Sequence, residues 1–200
     1  MSACTCDVPH HLRQIVVTGG PGAGKTAALE VLRRETCRHV NVVPEAASIL
    51  WRGGFPRSQT TSGRRAVQRA IARLQIELQR VAIENDNPAL VVCDRGTLDS
   101  LAYWPGAESD YFDDLDTTKE KELCRYATVI HMRSPSRADG YVQTTLRPET
   151  ADEARALDER ILAVWADHPR RFVIESDENF LRKLERVIAL IRSEIPACCR

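Results

Sequence analysis

The sequence predicts an α/β domain in which a five-stranded parallel sheet lies between two layers of helices. Short apolar runs rich in valine and isoleucine alternate with amphipathic segments along the 200 residues. This alternation is typical of strands that are joined by helical crossovers, which form parallel sheets with both faces covered. The third run, ALVVC, is apolar without interruption, as expected of a strand that is buried on both faces.

Five strands are predicted from these runs, and Pro44 stops the second of them because proline cannot donate a hydrogen bond to a sheet. The predicted strands are Gln14–Thr18, Val40–Val43, Ala89–Cys93, Thr128–Met132 and Arg171–Glu175.

Helices are predicted between the strands. One runs from about Thr26 to Glu35, and a last one runs from Phe180 to Ile191. The segment from Ser62 to Asn85 has an apolar face at helical spacing, formed by Val67, Ile71, Leu74, Leu78 and Val81. Two capping boxes predict further helix starts, the pairs Thr117 with Glu120 and Thr150 with Glu153. The second of these helices carries Ala154, Leu157, Ile161 and Trp165 on its apolar face.

The chain is predicted to form a single domain over residues 14–193, with tails at 1–13 and 194–200. Two long stretches are expected to be irregular, an acidic one at Trp104–Asp116 and a basic one at Arg133–Pro148. Long loops in compact α/β domains are usually lids or binding loops, so residues 133–148 are interpreted as a lid.

Composition excludes some partners. Lys+Arg and Asp+Glu number 28 each, so the net charge gives no reason to expect binding to nucleic acid or to a membrane surface. An apolar segment long enough to span a bilayer and an apolar signal region are both missing from the sequence, so a cytoplasmic protein is expected. The sequence does not indicate an oligomeric state.

The seven cysteines are scattered. Cys37, Cys93 and Cys124 are interpreted as small buried residues in a reducing compartment. A second group of cysteines and histidines lies in the expected tails and is left open between a metal or redox site and frayed termini, since its spacing fits no standard zinc pattern. This group comprises Cys4, Cys6, His10, His11, Cys198 and Cys199.

GGPGAGKT, Gly19 to Thr26, matches G-x-x-x-x-G-K-S/T completely and lies between a predicted strand and a predicted helix. Its small residues let successive backbone N–H groups surround a phosphate, and Gly22 and Gly24 are expected to adopt backbone angles that side chains disfavour. Lys25 is expected to reach the β- and γ-phosphates, and Thr26 to offer its hydroxyl to Mg²⁺. The sequence therefore predicts a phosphate loop that binds a nucleoside triphosphate, with cofactor contacts from Gly19, Gly20, Pro21, Gly22, Ala23, Gly24, Lys25 and Thr26.

Three classes of reaction compete for this phosphate loop. A GTP switch should carry a guanine-reading N/T-K-x-D motif, but the nearest candidate, TKEK at Thr118–Lys121, ends in lysine and precedes a strand. A ring ATPase typically has aspartate followed by glutamate after its second catalytic strand, whereas this chain has Asp94 followed by Arg95. The sequence favours a kinase, which needs an acid for the acceptor hydroxyl, cations over the phosphoryl group and a closure that excludes water.

Each of these parts has a candidate near the phosphate loop. Glu45 follows the second strand, where it is either the acid that orients or deprotonates the acceptor or simply an acid at a helix N-terminus. Asp94 is expected to hold Mg²⁺ or to act as the base. Arg95 is expected to grip the acceptor, or alternatively to form an ion pair with a nearby acid.

The predicted lid supplies Arg133, Arg137 and Arg147, of which Arg147 and then Arg137 are the favoured catalytic arginines. Arginines at 65, 69, 73 and 80 are expected to form a solvated face of the long helix rather than a substrate-binding wall. Trp51 and Phe55 are candidates either for stacking on a base or for the core.

DRGTLDSLAY resembles the D-R-Y-x-x-S-x-x-A-Y signature of thymidylate kinases, in which the aspartate–arginine pair works at the acceptor phosphate and the metal. From Ile15 to about Ile191 the chain is more similar to the P-loop family that includes the nicotinamide riboside kinase domain of NadR, a family of AAA-type ATP-binding and kinase-like proteins. The similar stretches are GGPGAGKT, VVPEAA, RGGFPR, CDRGTLDSLAYW and Arg147–Ala154.

The resemblance implies a P-loop NTPase fold of the nucleoside and nucleotide kinase type, ATP or GTP with Mg²⁺, and a nucleoside-like acceptor. Some members of the family look like nucleotide-binding regulators. The sequence therefore predicts a small-molecule kinase, with a nucleotide sensor that has no phosphoryl acceptor as the alternative.

Overall fold

The computed structural model describes residue 6 and residues 10–84, 88–135, 150–176 and 179–199. Its five strands are β1 (Arg13–Thr18), β2 (Val40–Val43), β3 (Leu90–Asp94), β4 (Thr128–Met132) and β5 (Arg171–Ile174). All pairings are parallel, and the strands lie in the order β2-β3-β1-β4-β5. The predicted α/β fold with a five-stranded parallel sheet is confirmed, and each strand ends within one residue of its prediction.

The helices are α1 (Lys25–Glu35), α2 (Ala46–Arg52), α3 (Thr61–Glu84), α4 (Glu108–Leu115), α5 (Lys119–Cys124), α6 (Ala151–Val164) and α7 (Phe180–Glu194), with 3₁₀ helices at Thr97–Tyr103 and Ala197–Cys199. Side chains alternate between the two faces of the sheet and form two apolar cores. On one face, Ile15 and Val17 of β1 share a core with α1 and α7. On the other, Val16 shares a core with the 3₁₀ helix at Thr97–Tyr103 and with α6. Each core joins one face of the sheet to helices, so the sheet and the helices on its two faces make the three layers of the fold class.

Helix α3 has the predicted extent, but its buried face is displaced from the predicted apolar positions. Val81 is 55% exposed, whereas Gln75 and Gln79 are buried. Gln79 is held by hydrogen bonds to Gln14 and Tyr126, at 2.7 and 2.9 Å. Buried amides with partners therefore replace part of the apolar face, which a pattern of apolar residues cannot predict.

The prediction of an irregular acidic stretch at Trp104–Asp116 is wrong, because α4 occupies most of it. Tyr111 on α4 is fully buried. Asp110 and Asp114 on the same helix pair with Arg65 at 2.5 Å and with Arg69 at 3.0 Å. The arginines of the first turns of α3 therefore hold α4 against α3 and do not form a purely solvated face.

Three smaller predictions are also corrected. The N-cap of α5 is Thr118, whose hydroxyl accepts a bond from the Lys121 amide, because the Thr117 hydroxyl donates to Glu122 instead. Cys124 is exposed. The tail expected from residue 194 is packed, since Ile195 and Cys199 belong to the core beside α7. No helix in the described ranges combines the length and apolar character needed to cross a membrane.

Candidate functional site

The phosphate loop connects β1 to α1 at the carboxyl edge of the sheet. Gly22 and Gly24 have φ angles of 75° and 96°, in the left-handed region that side chains disfavour, so the predicted need for glycine at both positions is confirmed. Gly24 is the N-cap of α1, and the exposed Thr26 lies in the first turn of that helix. The backbone amides of this turn are available to an anion.

Lys25 is folded back onto its own loop. Its Nζ donates hydrogen bonds to the carbonyl oxygens of Gly19 and Gly20, each at 2.8 Å. Burial lowers the pKa of Lys25 to about 7, and the charge of Arg95 acts in the same direction. A triphosphate would supply the anionic partner that keeps this amine protonated.

Asp94 stands at the end of β3, in register with Val17 of β1, so its carboxylate lies beside the phosphate loop. Among the described residues, none is found to donate a hydrogen bond to this carboxylate. Burial raises the pKa of Asp94 to about 6, and the charge of Glu45 adds to that effect. A half-buried carboxylate that has no donor among the described residues and lies beside a phosphate loop is suited to binding Mg²⁺.

Glu45 and Arg95 form an ion pair in which Arg95 Nε donates to Glu45 Oε1 at 2.6 Å. The second oxygen of Glu45 accepts a hydrogen bond from the Ser48 hydroxyl. Burial alone raises the pKa of Glu45, but the Arg95 guanidinium and the Ser48 hydroxyl outweigh it and lower the pKa to about 2. Glu45 also directly precedes α2, so its interpretation as an acid at a helix N-terminus is confirmed, while its role at an acceptor stays a prediction.

Arg95 is fixed from several directions. Its Nη1 donates to the Gly19 carbonyl at 3.2 Å and to Asp99 Oδ1 at 3.3 Å, and its side chain is 12% exposed. Its backbone φ of 70° is in the left-handed region, which is strained for a residue with a side chain. The ion pair that the sequence left open as an alternative is therefore present, and it holds Arg95 at the edge of the phosphate loop.

A cavity of about 490 Å³ opens beside the phosphate loop and extends between α2 and α3. Its wall includes Glu45, Asp94 and Arg95 together with Trp51, Gln68, Gln75 and Tyr103. Trp51 is half-buried, and the Arg57 guanidinium lies 4.7 Å from the centre of its ring. Phe55 packs edge-on against Trp51, with 6.4 Å between the ring centres. Trp51 is thus a wall of the cavity, while Phe55 supports it.

Gln75 is the most deeply buried polar side chain of the α3 part of this wall, at 2% exposure. Its Oε1 accepts a hydrogen bond from the Ala46 amide at 3.1 Å. Its Nε2 is buried and has no partner among the described residues. A buried donor without a partner is costly, so Gln75 leaves an unsatisfied amide group between α2 and α3, beside the cavity.

The comparisons with known proteins agree with this geometry. A family model described as an AAA domain matches residues 14–183, which is most of the chain. The chain belongs to this AAA domain family. No curated protein matches it significantly. The match supports a P-loop domain that binds nucleotide, whereas the resemblance to thymidylate kinase and to the nicotinamide riboside kinase domain stays a prediction.

Asp158 of this AAA domain is a site residue that the sequence did not reveal. It is 1% exposed on α6, and its Oδ1 accepts a hydrogen bond from the Gly20 amide at 2.8 Å. The same carboxylate contacts His131 Nε2 at 2.8 Å and the Ser134 amide at 3.2 Å. Asp158 therefore fixes the start of the phosphate loop to β4 and α6. The available signal was an acid at an otherwise apolar position, between Leu157 and Ile161.

Asp99 is a second site residue that the sequence did not reveal. It is 3% exposed and accepts hydrogen bonds from the Thr18 hydroxyl and, at 2.7 Å, from the Gly96 amide. Its contact with Arg95 places that guanidinium between two carboxylates. The spacing of the two aspartates in DRGTLD was the signal that pointed to it.

Of the arginines of the predicted lid, Arg133 belongs to the described residues and is not part of the cavity wall. Arg133 pairs with Asp158 at 3.2 Å and also with Glu159, so it is engaged with α6. Arg137 and Arg147 lie outside the described residues, and their catalytic role stays a prediction.

Proposed function

We propose that this AAA domain is a Mg²⁺-dependent phosphotransferase that moves the γ-phosphate of ATP or GTP to a nucleoside-like acceptor. The observation that carries the proposal is the cavity of about 490 Å³ that extends from the phosphate loop to a wall of aromatic and amide side chains. Both reactions need space for the triphosphate, but a hydrolase needs only a water molecule beyond it, whereas this cavity continues past the phosphate loop to the side chains of α2 and α3. Aromatic and amide groups suit the flat faces and polar edges of a nucleoside.

On the nucleotide side, backbone amides of Gly19–Thr26 would surround the phosphates, and Lys25 would leave its two loop carbonyls to reach the β- and γ-oxygens. The Thr26 hydroxyl and the Asp94 carboxylate are the residues that would hold Mg²⁺. The bound metal would offset negative charge on the phosphates. The charge of the ion would also lower the pKa of Asp94 again and keep the carboxylate ionised over a wider range of pH.

On the acceptor side, Glu45 and Arg95 have different roles. A carboxylate with a pKa of about 2 is a weak base but a firm hydrogen-bond acceptor, so Glu45 orients the acceptor hydroxyl. Phosphoryl transfer through a loose transition state depends more on such positioning than on strong base catalysis. Arg95, fixed by Glu45 and Asp99, presents its charge to the acceptor or to the moving phosphoryl group.

The test is release of ADP or GDP in the presence of a panel of nucleosides, nucleotides and nicotinamide riboside. We expect at least one acceptor to stimulate release by the wild type, and we expect Glu45→Gln to slow it by about a hundredfold through lost orientation of the acceptor. Lys25→Ala should abolish nucleotide binding. Glu77→Gln, which changes an exposed acid paired with Arg80 on the surface, is the matched control and should keep wild-type turnover.

Full turnover by Glu45→Gln with a good acceptor would contradict the role of Glu45. Tight nucleotide binding with no stimulation by any member of the panel would favour the second candidate, a nucleotide sensor. The observation that favours a sensor is that Arg95 and Ser48 both donate hydrogen bonds to Glu45, which makes its carboxylate a weak base. A sensor needs the same phosphate loop but no base.

A further inference from the structure

Four metal-ligating side chains from opposite ends of the sequence meet in the folded chain. Cys6 and His10 precede β1, while Cys198 and Cys199 lie in the 3₁₀ helix that follows α7. Their sulfur and nitrogen atoms all lie within 4.8 Å of one another. Cys199 is 7% exposed and belongs to the core, so the packing of the C-terminal segment fixes part of the cluster.

The distances within the cluster fit a tetrahedral metal site. His10 Nε2 lies 3.5 Å from Cys6 Sγ, 3.6 Å from Cys199 Sγ and 3.8 Å from Cys198 Sγ. The two sulfurs of Cys198 and Cys199 are 3.9 Å apart. Zinc bonds of about 2.3 Å to sulfur and about 2.0 Å to nitrogen place the ligand atoms of a tetrahedron roughly 3.5–3.8 Å apart. The side chains therefore stand close to the spacing that one zinc ion requires.

We propose that Cys6, His10, Cys198 and Cys199 form a structural zinc site. Three thiolates and one imidazole are a ligand set that zinc takes in closed, four-coordinate sites. Binding would release the three thiol protons and form three Zn–S bonds and one Zn–N bond, with no change of oxidation state.

A second layer of side chains supports the cluster. His39 is 5% exposed, and its Nδ1 lies 3.3 Å from Cys199 Sγ, where an N–H would donate to a thiolate. Cys37 Sγ is 3.8 Å from the same nitrogen. Arg38 donates to the Cys6 carbonyl at 3.4 Å. Partners of this kind orient metal ligands and tune their basicity. The trio of Cys37, His39 and Cys199 offers one ligand fewer than the proposed site.

The zinc site lies at the end of the sheet opposite the cavity. His10 precedes β1 and His39 precedes β2, so both stand at the amino edge of a parallel sheet, while Asp94 and the phosphate loop stand at the carboxyl edge. Four protein ligands leave no open position for a substrate. The site therefore fastens the segment before β1 to the segment after α7 and takes no part in phosphoryl transfer.

The experiment measures metal in protein purified under reducing conditions, with zinc content from elemental analysis and the visible spectrum after replacement by Co²⁺. We expect one zinc per chain and, with cobalt, the ligand-field bands of a tetrahedral thiolate site. Cys198→Ser and His10→Asn should each lose the zinc and lower the melting temperature, with nucleotide affinity unchanged. The matched control is Cys124→Ser, which changes the exposed cysteine of α5 and should keep the full zinc content.

Cys37→Ser separates the two possible ligand groups and should retain the metal. The proposal is overturned if reduced wild type binds neither zinc nor cobalt on titration, a result that does not depend on how any variant folds. It is equally overturned if folded Cys198→Ser and His10→Asn keep the full metal content, as adventitious zinc would. Loss of metal in Cys37→Ser alone would assign the ion to the other trio.

Discussion

Replacing Asp94 by asparagine is expected to stabilise the ligand-free protein while it removes Mg²⁺-dependent activity. Burial raises the pKa of this carboxyl from 3.8 to about 6, so the folded chain holds the ionised form less favourably than the unfolded chain does. For an acid with a raised pKa, the resulting loss of stability is absent below the unfolded pKa and grows as pH rises, until it is complete above the folded pKa. The two values correspond to about 3 kcal/mol, which Asp94→Asn would recover at neutral pH.

Glu45→Gln is the matched contrast at the same edge of the sheet. Its partners, led by Arg95, overcome the effect of burial and lower its pKa from 4.5 to about 2. An acid with a lowered pKa contributes stability above its unfolded pKa, and that contribution is lost as pH falls through the folded pKa. Glu45→Gln should therefore destabilise the protein by about 3 kcal/mol at neutral pH. Neighbouring acids that give mutant effects of opposite sign are a sharp test of the site.

The assay is urea unfolding in Mg²⁺-free buffer at about pH 8, followed by thermal melting. For a chain of this size, about 3 kcal/mol corresponds to a melting temperature that is roughly 6–12 °C higher for Asp94→Asn. The gain should shrink when the measurement is repeated near pH 5, where the folded wild type already holds a proton on Asp94. A stability lower than that of the wild type at about pH 8 would refute the reasoning, because it would mean that Asp94 already has a partner in the ligand-free chain.

Three further predictions concern residues that contact the site or support it. Asp158→Asn weakens the hold on the Gly20 amide and should reduce nucleotide affinity about tenfold in a fluorescent-nucleotide titration. Gln75→Met removes the acceptor of the Ala46 amide, which positions the start of α2 beside the cavity, and should raise the KM for the acceptor about tenfold with little change in kcat. Arg65→Ala removes a half-exposed ion pair to Asp110 and should lower the free energy of unfolding by about 1 kcal/mol or less, with faster proteolysis at α4. Unchanged nucleotide affinity in Asp158→Asn would contradict the role of Asp158, and an unchanged KM in Gln75→Met would contradict that of Gln75.

The sequence predicted those features that local signals determine. Strands with apolar β-branched runs were found within one residue, and GGPGAGKT specified both its own conformation and the helix behind it. The rule that parallel strands present their carboxyl ends at one edge was enough to bring Glu45 and Asp94 near the phosphate loop. The alternative prediction for Arg95, an ion pair with a nearby acid, is confirmed, and the structure identifies that acid as Glu45.

The features that were missed depend on contacts between distant segments. Helix α4 is stabilised by arginines some 45 residues earlier, which no local propensity reveals. Asp158 becomes a site residue only when α6 packs beside the phosphate loop, and Gln75 lines the cavity only when α2 covers α3. The cysteine cluster joins residues about 190 positions apart, so its spacing along the chain could not match a local zinc motif.

The fold-back of Lys25 onto the Gly19 and Gly20 carbonyls also affects chemical labelling. An ordinary lysine is almost wholly protonated and unreactive at neutral pH, but an amine with a pKa of about 7 is neutral in a large fraction of molecules. Because Lys25 also lines the cavity, a small amine-directed acylating reagent should modify it ahead of the surface lysines. A bound triphosphate would raise the pKa of Lys25, keep the amine protonated and cover it. Protection from acylation would therefore report occupancy of the phosphate loop without any measurement of turnover.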